Sequence, residues 1–293
     1  MSVAYLIRAH HKPTQLVRLV DRLTTDTASF HIHVDARSPA QTYAAMREEL
    51  VGHERVRWLP RTVSRYAGFS LVEALLRGLE EIARAEPAPS HTVFLSGQDY
   101  PLRSAAEIER TLAGRAGESL VEHFRIPSER WVAENGGLDR IRYWYFEQVH
   151  FRTKILRLPL LRRTFPAELE PYGGSAWGAV SREAARTLVE FRGRNPSPYR
   201  FFRHVKTPDE IFVQSVLMSS PGAGRIVDES THYVEWSGSS HPETLGREDF
   251  PRIAASGKLF ARKFDVDRDA EILDLIDQEL LSPPSREGVA PVV

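Results

Sequence analysis

Three groups of residues in this chain have types and spacings that could do chemistry. In His31-Ile32-His33-Val34-Asp35 two imidazoles and a carboxylate alternate. Alternate positions of a strand share a face, so the three could converge on a metal ion. The simpler reading is a half-buried strand whose last acid reaches the sheet rim, because a packed sheet leaves no open coordination space. Asp209 and Glu210 follow Pro208 at the head of a helical stretch. Taken alone, they complement the positive end of a helix. Lys263, next to Arg262, is one of only five lysines among 39 Lys and Arg residues. By itself it reads as a surface lysine with its stem laid along apolar surface. Trp236 offers a flat ring that could pack against the C–H face of a sugar or fill a core.

Other motifs are missing. His10-His11-Lys12-Pro13 stands where a dinucleotide-binding Gly-x-Gly-x-x-Gly would follow the first strand, and there is no P-loop. Gly173-Gly174-Ser175-Ala176-Trp177 departs from a nucleophile elbow at its last position. Asp265, Asp267 and Asp269 have Asp-x-Asp spacing, but they open a helix rather than end a central strand.

Composition narrows the classes further. The 293 residues carry 39 cationic and 39 acidic side chains, which disfavours bulk nucleic-acid binding. Cysteine is absent, which excludes a disulfide framework, a thiol nucleophile and Cys-ligated metal. Neither a signal-peptide pattern nor an apolar run of membrane-spanning length is present, so the expectation is a cytoplasmic protein.

Alternating elements must position these residues. Apolar runs at 3–8, 30–34, 56–59 and 91–95 read as strands, and 14–23, 39–50 and 70–84 as amphipathic helices. Ser70 and Glu73 have capping-box spacing. Such alternation predicts a doubly wound parallel sheet, whose ligands sit beyond the carboxyl ends of the strands. Those ends are His10-His11, Asp35, the loop from Tyr66 to Ser70, and Gln98-Asp99. Further on, 175–180, 233–236 and 259–264 read as extended, and 182–192, 209–218 and 267–281 as helical. Residues 282–293 read as a flexible tail. The basic, leucine-rich segment 151–165 could make weak contact with an anionic membrane surface. Pro159 favours a solvated loop instead.

Several segments match, in order, those of one family: Tyr5-Leu6-Ile7-Arg8-Ala9-His10-His11-Lys12, His31-Ile32-His33-Val34-Asp35, Tyr66-Ala67-Gly68-Phe69-Ser70, Phe94-Leu95-Ser96-Gly97-Gln98-Asp99-Tyr100-Pro101, Gly174-Ser175-Ala176-Trp177, Pro208-Asp209-Glu210 and Leu259-Phe260-Ala261-Arg262-Lys263-Phe264-Asp265. The chain resembles the core-2/I-branching β-1,6-N-acetylglucosaminyltransferases, a family that includes the peptide O-xylosyltransferases. The resemblance implies one α/β domain over 1–281, a GT-A-like, Rossmann-type, mostly parallel sheet flanked by helices. Residues 1–118 would form its nucleotide-binding half and 119–281 its acceptor and catalytic half.

It also implies an inverting transfer of N-acetylglucosamine or xylose from a UDP-sugar to a glycan, lipid-linked sugar or secondary metabolite, without a cofactor or metal. Glu210 then matches the catalytic base. Lys263, with Arg262, supplies counter-charge to the diphosphate, and His10, Asp35 and Tyr66 complete the nucleotide site. Gln98 and Asp99 fall to the donor sugar, and Glu122, Arg130, Trp177 and Trp236 to the acceptor. A second cationic diphosphate ligand of the family would fall near Ser239-Ser240-His241, where no arginine stands. Two other readings compete: a carbohydrate-binding protein without turnover, and a metal-dependent hydrolase using His31, His33 and Asp35.

Overall fold

Short apolar runs buried on both faces and helical spacing between them set the architecture. The structure is a computed structural model that describes residues 2–151, 154–238 and 241–282. The first half comprises β1 (Val3–Ala9), α1 (Pro13–Leu23), β2 (Ser29–Val34), α2 (Ala40–Glu49), β3 (Val56–Trp58), α3 (Ser70–Ile82), β4 (His91–Ser96), β5 (Asp99–Pro101), α4 (Ala105–Ala113), β6 (Glu118–Val121), β7 (Phe124–Arg125) and α5 (Leu138–Arg142). The second comprises β8 (Tyr143–Phe151), β9 (Lys154–Arg162), β10 (Tyr172–Gly173), β11 (Gly178–Ser181), α6 (Arg182–Arg194), α7 (Pro196–Phe202), α8 (Phe212–Met218), β12 (Arg225–Val227), β13 (His232–Val234), α9 (Phe250–Ala255), β14 (Phe260–Arg262) and α10 (Glu271–Ile276).

Seven strands form the main sheet in the order β12-β6-β11-β4-β1-β2-β3. The strands β3, β2, β1 and β4 are parallel. β11 is antiparallel to both its neighbours, and β12 is parallel to β6. Alternate side chains go to opposite faces. Tyr5, Ile7, Phe30, Ile32, Val93 and Leu95 pack against α1 and α10. Ala4, Leu6 and Phe94 pack against α3, α6 and α8. The chain is therefore a single α/β domain with a mostly parallel sheet between helical layers. Packing outweighs capping in α1, which has no side-chain cap and begins from Lys12 at φ 57°. Its Leu16, Leu19, Val20 and Leu23 are fully buried, and each contributes about 1.5–3 kcal/mol relative to exposure.

Several expectations need correction. Ser70 does not cap α3: its hydroxyl donates to Glu147 at 2.9 Å and accepts from the Arg65 N–H at 2.8 Å. A distant carboxylate has displaced the local Glu73, and the capping box forms at Ser104 and Glu107 instead. The stretch 209–218 is not one helix. Pro208–Glu210 is a 3-10 turn, Ile211 breaks away at φ −131°, and α8 begins at Phe212. Within the segment 151–165, Lys154–Arg162 is a strand rather than a loop, β9 pairing antiparallel to β8. It leaves Leu160 92% and Leu161 58% exposed, while Arg152 lies outside the described residues. The final helix is shorter than its periodicity suggests, ending at Ile276 before a π-helical turn over Asp277–Leu281. Of the expected tail only Ser282 is described. No helix among the described residues is long and apolar enough to cross a membrane.

Candidate active site

The turn that breaks the 209–218 stretch is what presents Glu210. Thr207 adopts a left-handed conformation (φ 46°) just before Pro208, and its N–H donates to the Ala67 carbonyl at 3.0 Å. This ties the Glu210 turn to the loop bearing Tyr66. On the other side the Gly174 N–H donates to the Glu210 carbonyl at 2.9 Å. A Cβ on Gly174 would lie 1.9 Å from the Glu122 carbonyl oxygen, so only glycine lets these backbones meet.

Arg140 anchors the Glu210 side chain. Its guanidinium donates to Glu210 Oε2, to Thr207 Oγ1 at 2.7 Å and to Glu134, and lies 3.7 Å from the Trp131 ring centre. Glu210 is half-buried, with 32% of its side-chain surface open. Burial pushes its carboxyl above the ordinary range; Arg140 opposes that rise and neighbouring Asp209 adds to it. A half-buried, reachable, ion-paired carboxylate of raised basicity can accept a proton.

Beside it lies a stack of cations and aromatics. Arg262 sits 4.0 Å over the Trp177 ring, and Arg8, at the end of β1, 4.7 Å from the same ring. Arg8 also pairs with Asp209 at 3.5 Å. Asp99 is fully buried beneath. It accepts from the Ser96 N–H and hydroxyl, each at 2.7 Å, and pairs with His232 at 3.4 Å and Arg262 at 3.6 Å. Burial would raise the Asp99 carboxyl, but Arg262, His232 and Ser96 together hold it below its ordinary value. Asp99 thus touches the cleft through Arg262. Two guanidinium nitrogens of Arg262, Nε and Nη1, are buried without a hydrogen-bond partner among the described residues. Nε faces Asp99 at ion-pair distance, which leaves Nη1 as the donor that an added anion would complete.

The other expected site residues are distributed along the same rim. Asp35 ends β2 and is clamped by Arg37, whose N–H and Nη2 each donate to it at 2.8 Å. Burial works against its charge, and Arg37 more than offsets this, keeping the carboxyl below its ordinary value. Tyr66 is 55% exposed, 5.2 Å from the His241 ring. Burial raises its phenol, and the charges of Glu210 and Asp209 add to this, placing it beside them. His10 is exposed at the end of β1, its ring 3.9 Å from that of His11. Gln98 is anchored by backbone alone, its carbonyl accepting from Phe264 at 2.8 Å.

Lys263 follows Arg262, and its ammonium pairs with no carboxylate among the described residues, unlike Lys12, which holds Asp265 at 2.8 Å and also Asp267. That pairing accounts for the Asp-x-Asp spacing. Glu122 and Arg130 pair at 3.4 Å, and burial raises the Glu122 carboxyl. Trp236 is 60% exposed, so the core-packing reading is set aside. Ser239-Ser240 lie outside the described residues.

The imidazoles of β2 do not form a metal site with Asp35. His31 and His33 are buried, and burial pushes both down to about 4. His33 Nε2 accepts from the Thr62 N–H at 3.2 Å while Asp35 is held by Arg37. No group of three His, Asp or Glu side chains among the described residues is placed to share a metal. Arg140 and His232 carried no sequence signal, because each reaches the site from a segment without a motif, and Arg8 stood in a matching segment with no role assigned to it.

A family model described as Core-2/I-Branching enzyme matches residues 3–254. The chain belongs to that family. It is similar to xylosyltransferase 2 of Mus musculus, 28% identical over 97% of this chain, and of Homo sapiens, 27% over 96%. It is 24% identical to xylosyltransferase oxt of Drosophila melanogaster over 98% of this chain. The chain spans about a third of the length of these relatives, 34% in each case. Among solved structures, apo mouse xyloside xylosyltransferase 1 aligns with TM-score 0.39 and 11% identity, covering 88% of this chain and 97% of that one. The Core-2/I-Branching match spans the carboxyl ends of β1, β2 and β4 and the Glu210 turn, and ends before Arg262 and Lys263.

Proposed function

We propose that this chain is an inverting glycosyltransferase that moves a sugar from a UDP-sugar to a hydroxyl, with Glu210 as general base. The observation that carries this reading is Glu210 itself, half-buried but reachable, its side chain held by Arg140 and its basicity raised by burial. The carboxylate takes the proton of the acceptor hydroxyl as its oxygen attacks the anomeric carbon. The bond from that carbon to the diphosphate oxygen breaks on the opposite face, and UDP leaves. Lys263 and Arg262, whose Nη1 has no hydrogen-bond partner among the described residues, supply counter-charge to the leaving diphosphate in place of a divalent cation. Asp35 and Tyr66 hold the uridine. Xylose is the first donor sugar to test, because the named relatives are xylosyltransferases, and N-acetylglucosamine the second. The acceptor is a glycan, a lipid-linked sugar or a secondary metabolite.

A screen of UDP-sugars for UDP release, with and without candidate acceptors, tests the donor. In the productive pair, Glu210→Gln keeps side-chain size and an acceptor oxygen for Arg140 but removes basicity. It is expected to lower kcat by about 10²–10⁴-fold and to leave UDP binding and thermal stability nearly unchanged. Near wild-type turnover in that variant would end the assignment.

A further inference from the structure

Away from Glu210, α4 and the segments leading into β13 and β14 enclose a cavity of about 310 Å³. Its charges are unevenly partnered. Of its two acids, Glu107 accepts from the Ser104 hydroxyl at 2.6 Å and N–H at 3.0 Å, and Glu229 pairs with Arg115 at 3.0 Å. Its three cations have no carboxylate within ion-pair distance among the described residues. Arg103 donates to the Leu102 carbonyl at 2.8 Å and Lys258 to the Ser230 carbonyl at 2.9 Å. The guanidinium of Arg110, exposed in the last turn of α4, has no hydrogen-bond partner among the described residues. Three cations against two acids leave the hollow a local excess of positive charge, even with Arg103 and Arg110 acting on Glu107, and the guanidinium of Arg110 leaves free N–H donors. Guanidinium and ammonium groups so placed suit an oxyanion, with arginine offering paired donors.

We propose that this cavity is a binding site for a phosphate or sulfate group, held by Arg103, Arg110 and Lys258. Its volume admits one anion with a monosaccharide-sized body attached. Lys258 precedes β14 and Arg262 ends it, and neither Arg262, Arg8 nor Trp177 lines the cavity, so the site is separate from the cationic stack over Trp177. The same chemistry has two sources, a free inorganic ion or an ester carried on a sugar.

Calorimetric titration of the full chain with inorganic phosphate, glucose 6-phosphate and galactose 6-sulfate, against sodium chloride at matched ionic strength, tests the site. Wild-type protein is expected to bind at least one of these probes beyond the salt control. Arg110→Ala and Lys258→Ala are each expected to weaken that probe about tenfold or more. Arg110→Ala should keep its melting temperature without anion and its UDP titration, which separates this site from the nucleotide site. Sugar esters binding tighter than phosphate would identify a carried ester, and equal affinities a free ion. Binding no stronger than the salt control, or unchanged in both variants, would overturn the proposal.

Discussion

Glu210 and Arg140 are a matched pair at the residue scale: burial disfavours the charged carboxylate, and the guanidinium limits that effect. A general base acts only when ionised, so kcat/KM is expected to rise with pH through a limb above the ordinary carboxylate range. Arg140→Ala removes the cation that holds this value down, so the limb should move to still higher pH, and Arg140→Lys should bring it part of the way back. A pH profile unmoved in Arg140→Ala would show that Arg140 does not act through Glu210. The sequence made Glu210 visible only through its motif. The residues alone suggested a helix terminus, and the 3-10 turn with its break at Ile211 removed that role.

Elements rather than single residues place Arg262. It ends β14, the central strand of the three-stranded sheet β13-β14-β5, and Asp99 opens β5 directly opposite it. His232 on β13 completes the buried set. Removing one partner of a buried pair leaves the other charge uncompensated. Asp99→Ala is therefore expected to destabilise the fold by about 3–5 kcal/mol, measured by urea unfolding near neutral pH. The sign with pH follows from the Asp99 carboxyl being held below its unfolded value. Its contribution is complete above the ordinary aspartate range and is lost as pH falls through the depressed folded value. The wild-type advantage over Asp99→Ala should shrink on acidification in that window. Local propensity identified the parallel strands and their helices well because Leu, Ile and Val at regular spacing need no distant partner to declare themselves. It failed at Ser70, where Glu147 is 77 residues away, and over 143–162, where pairing between two strands rather than spacing within one makes the hairpin.

Across the whole molecule, the parallel strands deliver His10, Asp35 and Gln98 to one rim, and segments from the second half bring Glu210, Arg262 and Lys263 to it. If those cations neutralise the diphosphate, turnover should survive EDTA, and Lys263→Ala should weaken both UDP binding and turnover. Activity lost on chelation and restored by manganese would overturn that assignment. Titration should also show UDP binding more tightly than GDP or TDP, and equal affinities would count against Asp35 and Tyr66 as the base pocket. The sequence by itself determined the α/β class, the four parallel strands, the rim they create and the family, because periodic burial and ordered motifs are properties of the chain. Only tertiary structure decided that Arg140 grips Glu210, that Asp99 lies beneath Arg262, that Trp236 stays open and that Lys12 takes Asp265. Those pairings join segments up to 253 residues apart, and burial and charge at such contacts are set by where the chain folds back, which no local spacing encodes.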